Sequence, residues 1–145
     1  RRFQRKGERK GVLVVDDYGH HPTEIANALA AARAAFPDKR IVVAFQPHRY
    51  SRTRALLDEF GRCFFDADLV AVTDIYAASE APVPGLTGRT LVEAIQAHGQ
   101  RDVRYVPKVE ELPAVLDALC QPGDLLMTFG AGTITGVGPA FLALD

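Results

Sequence analysis

Residues 12–45 read VLVVDDYGHHPTEIANALAAARAAFPDKRIVVAF, and this stretch predicts the fold of the chain. It begins and ends with apolar runs, 12–15 and 41–45, which are typical of strands buried on both faces of a parallel sheet. Between these runs, apolar residues recur at helical spacing and predict a helix over 22–36. A strand, a helix and a second strand in this order form a βαβ unit with a right-handed crossover.

The same alternation continues to the end of the chain. Further strands are predicted at 69–73, 103–106 and 124–129, and further helices at 52–65, 89–98, 109–120 and 139–144. This order predicts an α/β fold, a Rossmann-like open, mostly parallel sheet with helices on both faces. The 145 residues match the size of one domain, which we place at 1–145, with residues 1–10 close to an interdomain hinge.

The overall composition gives no preference for nucleic acid or membranes. Hydrophobic residues make up 48% of the chain and the net charge is -1, so no strong field attracts polyanions. No apolar run approaches the roughly 20 residues of a membrane helix, and no signal peptide is visible. Cys63 and Cys120 lack zinc-binding spacing and are predicted to be reduced. We therefore expect a cytoplasmic protein without nucleic-acid or membrane partners.

Polar clusters follow the first two buried strands. Residues 16–22 read DDYGHHP, residues 45–53 read FQPHRYSRT, and together they hold three of the four histidines. Ligands of open parallel sheets bind beyond the carboxyl ends of the strands. We therefore expect the functional site to be formed by these two loops.

Asp17 stands between a strand and a helix, and two roles are open for it. A carboxylate at this place can accept hydrogen bonds from the ribose hydroxyls of a nucleotide. It can equally accept hydrogen bonds from backbone N–H groups, as a helix cap or in an Asx turn. The residue type alone slightly favours the second role, and Asp16 is also expected to be structural.

The adjacent histidines His20 and His21 point to opposite sides of an extended backbone. This arrangement is poor for binding one metal ion, and no residue at helical spacing completes a zinc motif. We therefore predict no metal site here. One histidine is expected to face a ligand while the other packs or caps a helix.

Arg49 and Arg52 lie three residues apart at the start of a predicted helix, so they share one face. Two guanidinium groups there can bind a carboxylate or a phosphate, and the helix N-terminus adds positive potential. The alternatives are an ion pair with Asp58 or Glu59, or a solvated face. Because cations in the first helical turn are unfavourable for stability, we favour anion binding.

Two nucleotide-binding patterns are incomplete or absent. Gly130-Ala131-Gly132 follows the last strand, but Thr135 stands where the dinucleotide fingerprint requires a third glycine, which favours a tight turn. The pattern G-x-x-x-x-G-K-[ST] does not occur. This chain alone therefore cannot hold a triphosphate in the way of a P-loop protein.

The motifs at 16–24 and 45–53 resemble the C-terminal domain of the Mur ligase family, as do the Arg1-Arg2-Phe3 start and the glycines at 130–132. The resemblance spans nearly the whole chain. It implies the Rossmann-like third domain of an ATP-dependent ligase, whose other domains bind a UDP sugar and carry the P-loop. A chain that begins without Met is then expected to be an excised domain that does not catalyse alone.

The resemblance also implies a reaction, the joining of L-alanine to UDP-N-acetylmuramate in peptidoglycan biosynthesis through an acyl phosphate. The implied cofactors are ATP and Mg²⁺, bound mainly by the central domain, and the implied partners are the N-terminal and central domains of the same chain. Two alternatives stay open. One is the related ligase that attaches a tripeptide in wall recycling, and the other is a non-catalytic nucleotide-binding module.

Roles for individual residues follow from the same resemblance. Arg2 and Asp17 are expected to contact ATP. The catalytic candidate is His20, since a histidine can accept or position a proton of the attacking amine near neutral pH. An arginine is expected to bind the alanine carboxylate, and no metal ligand is implied in this chain. The expected amino-acid pocket consists of Tyr18, His20, His48, Arg49 and Arg52.

Overall fold

The computed structural model describes residues 3–145, in which six strands form a single sheet. The strands are β1 Gln4–Arg9, β2 Val12–Asp17, β3 Ile41–Phe45, β4 Leu69–Val72, β5 Val103–Tyr105 and β6 Leu125–Phe129. Their order across the sheet is β1-β2-β6-β3-β4-β5. Strand β1 runs antiparallel to β2, and the other neighbours are parallel. The predicted α/β fold with a mostly parallel sheet is confirmed.

Helices cover both faces of this sheet, as predicted. The α-helices are α1 Pro22–Ala35, α2 Tyr50–Ala55, α3 Leu57–Arg62, α4 Gly88–Ala97, α5 Leu112–Leu119 and α6 Val137–Leu142. Helices α1, α3 and α4 contribute to one hydrophobic cluster, whereas α5 and α6 contribute to the other. Short 3-10 turns precede α5 and α6. Within the described chain, no helix is long and apolar enough to cross a membrane.

The central strands are apolar on both faces because each face packs against helices. Alternate residues of β2, β3 and β6 enter the two hydrophobic clusters in turn. This double burial explains why these strands read as unbroken apolar runs in the sequence. The residues facing α1, α3 and α4 include Val15, Val43 and Met127, and those facing α5 and α6 include Val14, Val42 and Leu126.

Two segments differ from the sequence prediction. The single helix predicted over 52–65 is wrong, because the backbone leaves helical geometry at Leu56, where φ is -114° and ψ is 23°. The break separates α2, which buries only Thr53, from α3, which buries Phe60 in the core. Within residues 1–10, Gln4–Arg9 forms the edge strand β1, while the nearby hinge stays a prediction.

The strand order brings the predicted site together. Strand β6 is last in the chain but lies between β2 and β3. Because these strands are parallel, the loops that follow β2, β6, β3 and β4 leave the sheet at the same edge. This edge is where open α/β sheets bind their ligands.

Candidate functional site

Asp17, the last residue of β2, stabilises the fold by accepting hydrogen bonds from backbone N–H groups. Its side chain is 1% exposed. Oδ1 accepts a hydrogen bond from the Gly19 N–H at 2.8 Å, and Oδ2 accepts one from the Phe3 N–H at 3.0 Å. The Asx-turn interpretation is confirmed. The expected contact of Asp17 with ATP stays a prediction, and Arg2, the other expected ATP ligand, lies outside the described residues.

Buried polar side chains connect neighbouring loops beneath this edge. The Thr128 hydroxyl donates to Asp16 Oδ1 at 2.7 Å, which confirms the structural role predicted for Asp16. Gln46 donates through Nε2 to the Thr133 hydroxyl at 2.8 Å and accepts through Oε1 from the Ile134 N–H at 3.1 Å. These hydrogen bonds hold the ends of β2, β3 and β6 together and fix the backbone that carries the side chains of the site.

The two adjacent histidines diverge, as predicted. His21 is the N-cap of α1, where its Nδ1 accepts a hydrogen bond from the Thr23 N–H at 3.3 Å. The Glu24 carboxylate completes a capping box by accepting from the N–H groups of His20 and His21, both at 3.1 Å. The His20 ring therefore remains available to the site while the His21 ring is used by the helix.

A row of four rings forms on the surface of this edge. The centroid distances are 6.1 Å from Tyr18 to His20, 5.6 Å from His20 to His48, and 5.5 Å from His48 to Tyr76. The structure thus brings together three residues that were predicted to share a pocket. Tyr76, which follows β4, was missed, and its only sequence signal is an aromatic residue shortly after an apolar strand.

Hydrogen-bond partners define the tautomers of His20 and His48. Arg52 Nη1 lies 3.2 Å from His48 Nδ1, and a guanidinium can only donate, so neutral His48 carries its proton on Nε2. His20 Nδ1 lies 3.2 Å from the Tyr18 carbonyl oxygen, which can only accept, so that nitrogen carries the proton. When both rings are neutral, Nε2 is therefore an acceptor on His20 and a donor on His48.

Burial lowers the pKa of His48, and the nearby charges of His20, Arg52 and Arg49 lower it further. Glu80 acts in the opposite direction but more weakly. His48 is thus kept neutral near pH 7. A neutral ring keeps the Nδ1 lone pair that accepts the hydrogen bond from Arg52, so this hydrogen bond is retained near pH 7.

Arg49 and Arg52 stand at the start of α2, as predicted, with Arg49 as its N-cap. Across residues 3–145, no carboxylate lies within ion-pairing distance of either guanidinium group. Asp58, one proposed partner, instead pairs with Arg62 at 2.9 Å, and Glu59 forms no ion pair in this part of the chain. The alternative of an ion pair with Asp58 or Glu59 is therefore wrong, whereas a solvated face stays open for Arg49, which is exposed.

Metal and thiol chemistry receive no support from the described residues. Between residues 3 and 145, no group of three His, Cys, Asp or Glu side chains is placed to hold a metal ion. Cys63 and Cys120 are free thiols, and burial raises the pKa of each to about 12. Both thiols are thus protonated at neutral pH. The chemistry that the site offers is different: its two arginines can bind an anion, and its histidine rings can exchange a proton.

Known proteins of similar sequence identify the family of this chain. The family described as "Mur ligase, glutamate ligase domain" matches residues 1–132. A UDP-N-acetylmuramate–L-alanine ligase from Geobacter sulfurreducens is 57% identical over 143 residues, which make up 99% of this chain and 31% of that protein. The chain therefore spans about a third of the length of the curated relatives that it matches.

Solved structures agree with this match. The crystal structure of a UDP-N-acetylmuramate–alanine ligase from Thermotoga maritima has a TM-score of 0.79 and 29% identity, covering 97% of this chain and 29% of that one. A murein peptide ligase from Psychrobacter arcticus has a TM-score of 0.75 at 20% identity, covering 100% of this chain and 30% of that one. The second likeness concerns the fold alone.

Proposed function

The chain belongs to the Mur ligase family, and we propose that it is the C-terminal, amino-acid-binding domain of an ATP-dependent ligase that joins L-alanine to UDP-N-acetylmuramate. The observation that carries this proposal is the pair of guanidinium groups without an ion-pair partner in residues 3–145, close to the imidazole rings of His20 and His48. In this proposal the N-terminal and central domains of the same protein supply the rest of the active site. The reaction belongs to peptidoglycan synthesis in the cytoplasm.

The proposed contact with the alanine carboxylate is made by Arg52, supported by Arg49. Arg52 is partly buried, and its Nη1 donates to both Nδ1 and the carbonyl oxygen of His48, at 3.2 and 3.4 Å. A guanidinium held in this way loses little conformational freedom when it binds a carboxylate through its remaining N–H groups. Nε2–H of His48 is a further donor beside it.

The proposed contact with the alanine amine is made by His20. The amine must lose a proton to attack an acyl phosphate, and the Nε2 lone pair of His20 can accept it. The neutral amine then attacks the acyl carbon to form the C–N bond of a tetrahedral intermediate, whose nitrogen gives up a second proton. The C–O bond breaks, phosphate leaves with its electron pair and carries that proton, and an amide results. Holding carboxylate and amine at Arg52 and His20 orients one L-amino acid relative to the acyl group.

ATP would supply the phosphoryl group that converts the muramoyl carboxylate into an acyl phosphate, and Mg²⁺ would accompany the phosphates of ATP. Among residues 3–145, no group of side chains fits a metal ion, and the sequence has no P-loop. We therefore assign both to the central domain. Arg2 remains a proposed ligand of the phosphates, and Asp17 is proposed to act indirectly, because it holds the N–H of the adjacent residue Phe3.

The experiment is alanine-dependent phosphate release by the complete ligase that contains this chain. Arg52→Ala should raise the KM for L-alanine about 30-fold, equivalent to about 2 kcal/mol for a charged hydrogen-bonded contact. Arg54→Ala removes an exposed arginine from the same helix and serves as the matched control, with no expected change. An unchanged alanine KM in Arg52→Ala would refute the proposed contact.

The same assay separates the alternatives. A wild-type ligase that uses the tripeptide and not alanine would be the wall-recycling enzyme. A protein that binds nucleotide without releasing phosphate with either substrate would be a non-catalytic module.

A further inference from the structure

The segment that follows β4 packs along the β3 loop, which we define as residues 46–52 and which includes the first turn of α2, and forms backbone hydrogen bonds with it. We call residues 74–80 the β4 strap. His48 and Tyr76 form an isolated parallel bridge. The Arg49 N–H donates to the Tyr76 carbonyl at 2.8 Å, and the Tyr76 N–H donates to the Pro47 carbonyl at 2.8 Å. The strap therefore supports the loop that carries the proposed amino-acid contacts.

Glu80, at the end of the β4 strap, holds the first turn of α2. Its Oε1 accepts a hydrogen bond from the Ser51 N–H at 3.1 Å, and its Oε2 accepts one from the Ser51 hydroxyl. The N-cap residue Arg49 provides no side-chain cap, and the first turn of α2 contains no acidic residue. The Glu80 carboxylate, from another loop, thus supplies the hydrogen-bond acceptor and the negative charge that the N-terminus of α2 lacks.

Several residues near the contact between Glu80 and Ser51 have positive φ values. Ala78 and Ser79, which lie between the Tyr76 and Glu80 contacts, have φ values of 51° and 75°. On the other side, Arg49 has a φ of 74°. Non-glycine residues with positive φ are costly and persist where surrounding contacts hold them, often at binding sites. Strained residues therefore lie on both sides of the link between Glu80 and Ser51.

We propose that Glu80 is a positioning residue for the amino-acid site. By holding Ser51 it fixes the direction of α2, and α2 in turn places the Arg52 guanidinium against His48, with Arg49 at the N-cap. This inference rests on the proposed function, because it concerns how well the site binds L-alanine. Glu80 itself need not touch the substrate.

The position of Glu80 also affects the charge of the site. The hydrogen bonds from Ser51 lower the pKa of Glu80, and the positive charge of Arg49 lowers it further. Glu80 is therefore ionised at neutral pH, close to Arg49 but not within ion-pairing distance of it. Its charge can hold the first turn of α2 without occupying the guanidinium groups that are proposed to bind substrate.

The test measures the KM for each of the three substrates in the complete ligase. Glu80→Ala should raise the KM for L-alanine by at least about tenfold, because small misplacements of binding groups cost one to two orders of magnitude. The KM values for ATP and the UDP sugar should not change. Glu80→Gln can still accept from the Ser51 N–H through its amide oxygen and can donate to the Ser51 hydroxyl through its amide nitrogen, so it should retain most of the alanine affinity. Glu93→Gln, an exposed position on α4, is the matched control.

Ser51→Ala tests the same contact from the other side, and it also serves if Glu80→Ala does not fold. It removes the hydroxyl but keeps the N–H, so its effect on the alanine KM should be smaller. The double variant should be no worse than Glu80→Ala alone, since both changes act through one link. Additive effects on the alanine KM would contradict a shared link.

Two further outcomes overturn the inference. An alanine KM in Glu80→Ala equal to that of wild type excludes positioning, and an equal rise in all three KM values indicates a merely structural role. Failure of the proposed function looks different, because wild type itself would then show no alanine-dependent phosphate release. That result would overturn both proposals, whereas an active wild type with a normal Glu80→Ala variant overturns only this one.

Discussion

The β2 loop, residues 16–22, and the β3 loop are both rich in ionisable residues, yet these residues have different roles in the fold. In the β2 loop, the carboxylate of Asp17 and the ring of His21 satisfy backbone N–H groups. In the β3 loop, Arg49 and Arg52 have no carboxylate within ion-pairing distance anywhere in residues 3–145, and His48 is held in one tautomer by Arg52. The first loop mainly builds the edge of the sheet, and the second presents charge at it.

This difference shows that the residue types in a loop do not reveal its function until their partners are known. A buried carboxylate bonded to two N–H groups contributes to stability, while an arginine without a counter-charge is available to an external anion. Substitutions in the two loops should therefore have different consequences. Changes in the β2 loop should mostly affect folding, and changes in the β3 loop should mostly affect substrate affinity.

The largest expected effect is on folding, from Asp17→Ala. Removing this carboxylate leaves the N–H groups of Phe3 and Gly19 without their acceptor, and should lower the free energy of unfolding by about 3 kcal/mol. Urea unfolding of the chain measures this quantity. Asp38→Ala, at an exposed turn, is the control and should change it by less than about 0.5 kcal/mol. An Asp17→Ala variant as stable as wild type would contradict the structural role of this carboxylate.

His20→Ala should have the next largest effect, and it is the exception within the β2 loop. If His20 accepts the amine proton, kcat of the complete ligase should fall about 100-fold, equivalent to about 2.7 kcal/mol. The free energy of unfolding should stay close to that of wild type, because the His20 ring makes a single exposed hydrogen bond. A normal kcat would remove His20 from the mechanism.

His21→Ala is the counterpart of that change and should affect stability alone. Loss of the ring that caps α1 should lower the free energy of unfolding by about 1 kcal/mol. The KM for L-alanine should be that of wild type. If His21→Ala weakened alanine binding instead, the division of labour between the two histidines would be incorrect.

The fold was largely predictable from the sequence because double burial leaves an unbroken apolar run in each central strand. The βαβ unit of residues 12–45 and the final strand follow directly from this rule. The break at Leu56 could not be predicted, because no glycine or proline marks it and the apolar spacing continues through it. The position of β6 between β2 and β3 could not be predicted either, since strand order depends on packing between distant segments.

The site was predictable only where its residues belong to the two polar motifs that follow β2 and β3. The motifs around His20 and His48 indicated that these rings share an edge, and the structure brings them within 5.6 Å. Tyr76 and Glu80 could not be found in this way. They reach the β3 loop only because β4 is the neighbour of β3, a relation that the sequence does not display.

The smallest expected effect concerns pH and His48. Burial and neighbouring positive charges lower its pKa in the folded chain below the ordinary value of 6.5, so the unfolded chain binds the proton more readily. His48 therefore lowers stability as the pH falls from 6.5 toward the lower folded pKa. Over this pH range, the free energy of unfolding of His48→Gln, measured in urea, should fall less steeply than that of wild type. Parallel curves for the two proteins would show that His48 is not perturbed.

We propose that the β3 loop supplies the amino-acid contacts of a ligase completed by other domains. A crystal structure of the complete ligase with L-alanine and a nucleotide would show these contacts. We expect the alanine carboxylate to lie within hydrogen-bonding distance of the Arg52 guanidinium, with the amine facing Nε2 of His20. Alanine bound without contact to residues 48–52 would contradict the account.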